Sequence, residues 1–151
     1  MILVKNEQKF PINIIKLKQN ARTILEALDY ADFDLGILLA TSKAMHEYNH
    51  QFREKDRATD ILSFPYHQIK AGDRIEATTE DEMNLGDIIL CPEYINEDLP
   101  RWNRTFQERV DILLVHGICH LLGYDHIEDE DYAVMKLQED ALLAKINALQ
   151  E

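Results

Sequence analysis

His116-Gly117-Ile118-Cys119-His120-Leu121-Leu122-Gly123-Tyr124-Asp125-His126 decides how this chain is read, because it holds three of the six histidines. His116 and His120 are spaced i, i+4, so on a helix they share one face with Cβ atoms about 6 Å apart. That gap suits two imidazoles converging on one metal ion. Gly123 can end the helix in a left-handed cap, a conformation few other residues adopt cheaply. The chain then turns, and His126 can swing back as a third ligand. Three neutral imidazoles leave a tetrahedral ion one open position, as in a catalytic site and unlike a closed structural one. A histidine pair at this spacing is common by chance on helices. A third histidine beyond a helix-ending glycine is not, and it tips the reading toward a metal site.

Outward from that stretch, Thr105-Phe106-Gln107-Glu108 matches a capping box, with Thr105 as N-cap and Glu108 at N3. The helix it opens carries Phe106, Val110, Leu113, Leu114, Ile118 and Leu121 and becomes apolar nearly all round, as a central buried helix should. The histidines therefore sit on the last turns of a rigid base. A final helix is expected from Asp129 to Leu149, its acidic first turn complementing the helix dipole.

Toward the N-terminus, Ile2 to Lys5 reads as a strand, and Pro11 is expected to open a helix running to Leu28. Its Ile14, Leu17, Ala21, Ile24, Leu25 and Leu28 recur at helical spacing. Phe33 to Ala40 suits a buried second strand, making a parallel crossover unit. Thr41 or Ser42 can cap a second helix with Met45, Tyr48 and Phe52, ending in a polar turn from Arg53 to Asp60. Ile61 to Phe64 is a third strand closed by Pro65, a residue confined to edges and strand ends. Residues 66–84 form a long loop, either functional or mobile. Leu85 to Leu90 is a fourth strand, antiparallel to the third because no helix joins them. Pro92 starts a short helix that stops before Pro100. The fold class is α+β: one domain over residues 1–151, a small four-stranded mixed sheet covered by about five helices, with a zincin-like metallohydrolase site on its central helix.

Composition narrows the functional classes. Of 151 residues, 46% are apolar and 29% charged, ordinary for a globular domain. No apolar run approaches the roughly 20 residues that span a bilayer, so no membrane partner is expected. The start of the chain lacks the basic and apolar regions of a signal peptide, and a cytoplasmic location is expected. Cys91 and Cys119 read as reduced core filler. The net charge of −12, from 16 Lys and Arg against 28 Asp and Glu, weighs against non-specific nucleic-acid binding. Basic residues nevertheless gather at Arg53, Lys55 and Arg57 and again at Arg101, Arg104 and Arg109. The acidic runs Glu80-Asp81-Glu82 and Glu128-Asp129-Glu130-Asp131 read as solvated faces.

An ion held by three imidazoles can acidify a water and polarise a carbonyl or phosphoryl oxygen. This points to hydrolysis without choosing the bond. The spacing His-x-x-x-His-x-x-Gly-x-x-His matches metzincin peptidases. Their helix motif, however, places a Glu general base directly after the first histidine. Here that position is Gly117, and the missing role is worth roughly 10²–10⁴-fold in rate.

His116-Gly117-x-x-His120-Leu121-x-Gly123-x-Asp125-His126 resembles the signature of the YbeY family of bacterial rRNA maturation factors. Asn49-His50-Gln51-Phe52-Arg53, then Lys55-Asp56-Arg57-Ala58-Thr59-Asp60-Ile61-Leu62-Ser63-Phe64-Pro65, and Leu85-Gly86-Asp87-Ile88 are similar to further blocks of that family, in the same order. Phe52 stands where the family usually has Tyr, and Ala58 where it usually has Pro. The resemblance implies a single-strand-specific, metal-dependent endoribonuclease acting in 16S rRNA 3′-end maturation, ribosome biogenesis and late-stage ribosome quality control. It implies His116, His120 and His126 as metal ligands and Arg53 and His116 as catalytic residues. The implied cofactor is one Zn²⁺, with Ni²⁺ or another transition metal as alternative; imidazoles disfavour Mg²⁺ and Ca²⁺ but do not separate the transition metals. The implied partners are the single-stranded 16S rRNA precursor, the small ribosomal subunit and assembly factors such as a ribosome-associated GTPase. A guanidinium at position 53 makes physical sense, since it forks onto phosphate oxygens.

Two other functions remain open at this point: a metzincin-like metallopeptidase, and a non-catalytic ribosome-assembly factor whose metal is structural. Asp125 is read either as the partner that orients a ligating imidazole or as a turn residue. Asp60 and Asp87 are read as structural groups bonding loop backbone near the site. Ser63 has no base nearby in sequence, and His46, His50 and His67 lack ligand spacing.

Overall fold

The computed structural model describes residues 1–148. Its strands are β1 (Ile2–Asn6), β2 (Asp34–Leu39), β3 (Ile61–Pro65) and β4 (Asn84–Leu90). Its helices are α1 (Ile14–Ala27), α2 (Ser42–Arg53), α3 (Pro92–Glu97), α4 (Phe106–Leu121) and α5 (Asp129–Ala148), with one 3₁₀ turn at Leu99–Arg101. The sheet order is β1-β2-β4-β3. β1 and β4 run parallel to β2, and β3 runs antiparallel to β4, so the sheet is mixed. Pro65 lies on the outer strand, where its missing N–H costs no ladder bond. Among the described residues no helix is long and apolar enough to cross a membrane.

Alternation along the strands divides the core in two. Leu35, Ile37, Leu39, Ile88 and Leu90 face one side, where they pack with α1, α4 and α5. Leu38, Leu62, Phe64 and Ile89 face the other, where Met45 and Tyr48 of α2 join them. On the first side α4 is the central element. Val110, Leu114, Val115, Ile118, Cys119 and Leu121 are all 1% exposed or less. Its start is the expected capping box: Glu108 N–H donates to Thr105 Oγ1 and Thr105 N–H to Glu108 Oε1, both at 3.1 Å.

Some boundaries differ from those expected. α1 begins at Ile14, not Pro11, because the Asn13 side chain accepts from Lys16 N–H at 3.0 Å and outcompetes proline as the starting signal. Arg53 closes α2 and does not lie in the turn, since the left-handed residue is Glu54 (φ 56°), whose N–H returns to Asn49 and His50 carbonyls. Thr41 is the N-cap of α2, accepting from Ala44 N–H at 3.1 Å. The expected end of the last helix at Leu149 lies outside the described residues. The long loop between β3 and β4 is tied down: Ile75 N–H donates to the Tyr30 hydroxyl at 3.0 Å, and Arg74 donates to the Leu28 and Asp29 carbonyls at 2.9 and 2.8 Å.

Candidate metal centre

His116 and His120 project from the last turns of α4, with Gly117 between them facing the sheet. A Cβ at Gly117 would stand 2.7 Å from Ile61 Cδ1 and 3.0 Å from Ile88 Cδ1. The helix packs closely on β3 and β4 here, and a larger residue would have to displace the ends of those two isoleucines. After Leu121 the chain reverses at Gly123 (φ +92°), whose N–H returns to the His120 carbonyl at 3.1 Å. A methyl there would collide with the Ile69 carbonyl oxygen, so the loop crossing beneath reinforces the need for glycine. The reversal brings His126 back over the helix end.

One ligand atom from each of His116, His120 and His126 lies within 4.8 Å of the others. Ring centroids are 4.4, 5.5 and 5.2 Å apart for the pairs 116–120, 116–126 and 120–126. His116 Nε2 and His120 Nε2 are 2.9 Å apart. Four-coordinate zinc with bonds of about 2.0–2.1 Å places its nitrogens about 3.3 Å apart, so this pair needs to open only slightly. No second group of this kind occurs among the described residues.

The far nitrogens of the two helix-borne rings are already engaged. His116 Nδ1 is 3.0 Å from Glu139 Oε2, and His120 Nδ1 is 2.9 Å from the Tyr124 carbonyl oxygen. Both partners are acceptors, so Nδ1 carries the proton in each ring and Nε2 keeps its lone pair for the centre. Burial, then the neighbouring His116 and His126, hold His120 down at a pKa of about 4, so it is a neutral ligand at neutral pH. Burial pushes the Cys119 thiol up to about 12, and the group of converging ligand atoms does not include its sulfur. A donor set of three neutral imidazoles fits a transition metal.

The centre opens into a cleft of about 450 Å³. β3 supplies one wall, with Ile61, Ser63 and Pro65 on the cleft side at period two, and Arg53 at the end of α2 lines the same space. Among the described residues Arg53 makes no ion pair and no side-chain hydrogen bond. Asp60 also borders the cleft; its Oδ2 is 3.4 Å from Arg109 Nη2, whose guanidinium lies 4.0 Å over the Trp102 ring. Asp125 behaves as a turn residue, accepting from Ile127 N–H at 3.3 Å. Asp87 is not near the centre. Ile88 points at α4, so its neighbour Asp87 points to the opposite face of the sheet. His46 pairs with Asp56 at 2.6 Å, and His67 meets the Glu82 carbonyl at 2.6 Å.

Sequence reading missed Glu139. Its signal was available: Met135, Leu142 and Ile146 form the buried stripe of α5, and Glu139 is a charged residue at the same spacing.

Fold and centre together define a class: an α+β domain with a three-histidine group at the end of its most buried helix, opening into a cleft. Residues 3–147 match the family described as Endoribonuclease YbeY, and the chain belongs to that family. Endoribonuclease YbeY of Clostridioides difficile is 33% identical over all of this chain and 99% of its own length. Endoribonuclease YbeY of Homo sapiens is 32% identical over 96% of this chain and 87% of its own length. The solution structure of TM1509 from Thermotoga maritima is similar at a TM-score of 0.66 and 28% identity, covering 97% of this chain and 89% of that one.

Proposed function

We propose that the chain is a metal-dependent endoribonuclease for single-stranded RNA, acting in the cytoplasm on the 3′ end of the 16S rRNA precursor during ribosome maturation and quality control. His116, His120 and His126 are its metal ligands, and Arg53 and His116 its catalytic residues. The observation that carries the reading is the meeting of three imidazoles and one unpaired guanidinium in a single cleft. Family membership supports RNA as the substrate.

A bound Zn²⁺, or another transition metal, supplies Lewis acidity toward a phosphate oxygen. Everything else falls to the chain's own residues. Glu139 and the Tyr124 carbonyl hold two rings in the ligating tautomer. Arg53, always charged, takes the free phosphate oxygens in a fork and opposes the charge that builds on phosphorus. The hydroxyl of Ser63 and the apolar edges of Ile61 and Pro65 shape the wall against which the strand lies. Small-subunit proteins or a ribosome-associated GTPase would deliver the RNA end to this cleft.

A peptidase is disfavoured because Gly117 stands where the peptidase motif has its general-base glutamate, and glycine carries no group for that role. A purely structural metal is disfavoured by the open cleft beside the histidines. The test is cleavage of a labelled single-stranded RNA by zinc-loaded protein, with end-group analysis. Cleavage by the wild type with loss in both His116→Ala and Arg53→Ala is expected. Undiminished cleavage by a metal-free His116→Ala preparation, or turnover of a peptide panel with none of RNA, would overturn the assignment.

A further inference from the structure

α5 buries Met135, Leu142 and Ile146 at 2% exposure or less. Glu139 falls on that stripe, four residues after Met135 and three before Leu142, and its side chain is 15% exposed. A carboxylate placed so is costly unless something holds it. The nearby cations are committed elsewhere: Lys136 pairs with Asp140 at 3.0 Å, and Arg104 with Glu108 at 3.6 Å. Among the described residues the hydrogen-bond partner of the Glu139 carboxylate is the Nδ1–H of His116 at 3.0 Å. The residue thus joins two helices, one bearing the centre and one closing the domain.

We propose that Glu139 is the positioning residue of the metal centre, and that through it the docking of α5 and the binding of the ion reinforce each other. The proposal rests on the three-histidine metal reading and extends it to a residue outside the ligand set. Glu139 fixes the His116 ring at both ends: proton on Nδ1, lone pair on Nε2 aimed at the centre. An ion bound at Nε2 draws density from the ring and strengthens the Nδ1–H donor, so the charge-assisted bond to the carboxylate tightens. Coupling of this kind is reciprocal. Whatever the ion adds to the hold on α5, docked α5 adds to the hold on the ion. His120 has no comparable link, since its Nδ1 is satisfied by the Tyr124 carbonyl four residues away on its own segment.

The experiment measures Zn²⁺ affinity by competition with a chromophoric chelator for wild type, Glu139→Ala and Glu139→Gln. Amide hydrogen exchange of residues 135–146 is followed with and without Zn²⁺. Outer partners of ligating histidines are worth about 10–100-fold in metal affinity. Glu139→Ala is expected to lose that much, and Glu139→Gln less, because its amide oxygen still accepts from Nδ1–H. Zn²⁺ should slow exchange across α5 in the wild type and have little effect there in Glu139→Ala. A merely structural Glu139 would lower stability with and without zinc alike and leave the affinity unchanged. Equal affinities in all three proteins, or α5 exchange in the wild type indifferent to zinc, would overturn the proposal. A wild type that binds no Zn²⁺ would instead overturn the metal reading beneath it, and the proposal with it.

Discussion

The two faces of the sheet are built from the same strands and finished in opposite ways. Behind one lie α1, α4 and α5 and the larger apolar core, with the histidine centre at its rim. Behind the other, α2 covers a small cluster and leaves a groove of about 520 Å³ over Leu38 and Ile89, edged by Tyr48, Phe52 and Phe64. One-residue alternation decides the difference: Ile88 meets the histidine helix, while Asp87 stands in the groove. The lesson is that the centre is anchored at the end of the most buried helix. Two ligands ride on a helix locked by core packing, a cap and a glycine stop, and the third returns on a short turn whose geometry that stop dictates.

The sharpest way to test this contrast is to remove one ligand. His120→Ala should lose the metal and cut RNA cleavage by about 10³-fold or more, given the several kcal/mol a Lewis acid contributes. Elemental analysis beside an oligonucleotide assay checks both. Arg53→Ala should cut cleavage by about 10²–10³-fold with metal content unchanged, and Arg53→Lys should recover only part, because the fork geometry is lost. Metal loss in Arg53→Ala would mean that the two sides of the cleft are not separate in function.

Much of this was legible in the residues alone. Helical spacing, short apolar runs, prolines and caps together located the four strands and five α-helices, and the Thr105–Glu108 box and Gly123 marked both ends of the histidine helix. Local signals of equal strength failed at Pro11, where a side-chain cap two residues later won, and at Arg53, where the left-handed residue fell one position further on. Asp87 was read as a structural group near the site, and it stands on the opposite face of the sheet. Which way a strand residue faces depends on what packs behind it, and that is a tertiary fact. Glu139 was missed for the same reason: its partner lies 23 residues away on another helix.

The two faces should also differ in their tolerance of a methyl group. Gly123→Ala forces a left-handed conformation on alanine and drives its Cβ into the Ile69 backbone carbonyl, which has little freedom to retreat. A loss of about 1–3 kcal/mol is expected. Gly36→Ala on the groove side meets only the carboxylate tip of Asp87, the far end of an exposed side chain that can swing into the open groove. Less than about 1 kcal/mol is expected, within the range of surface substitutions. Chemical denaturation of both variants measures the contrast, and equal losses would erase it.

The smallest effect concerns a second carboxylate on the covered side, one with no part in the centre. Asp111 on α4 is 6% exposed and accepts from Asn20 at 3.0 Å and Gln107 at 2.8 Å, both at Oδ1. Burial raises its pKa above the ordinary 3.8, and the two hydrogen bonds only partly oppose that. The sign follows from linkage. A carboxyl whose folded value is raised contributes stability that is present below the unfolded value and lost as pH rises through the folded one. At neutral pH the ionised group therefore works against the fold. Asp111→Asn keeps the shape and an accepting oxygen without the charge, so it should raise stability at pH 7 by less than about 1 kcal/mol. The gain should shrink as pH falls toward 3.8. Thermal unfolding of both proteins at several pH values measures it. A gain that stayed constant with pH would mean that the charge of Asp111 is not what burial opposes.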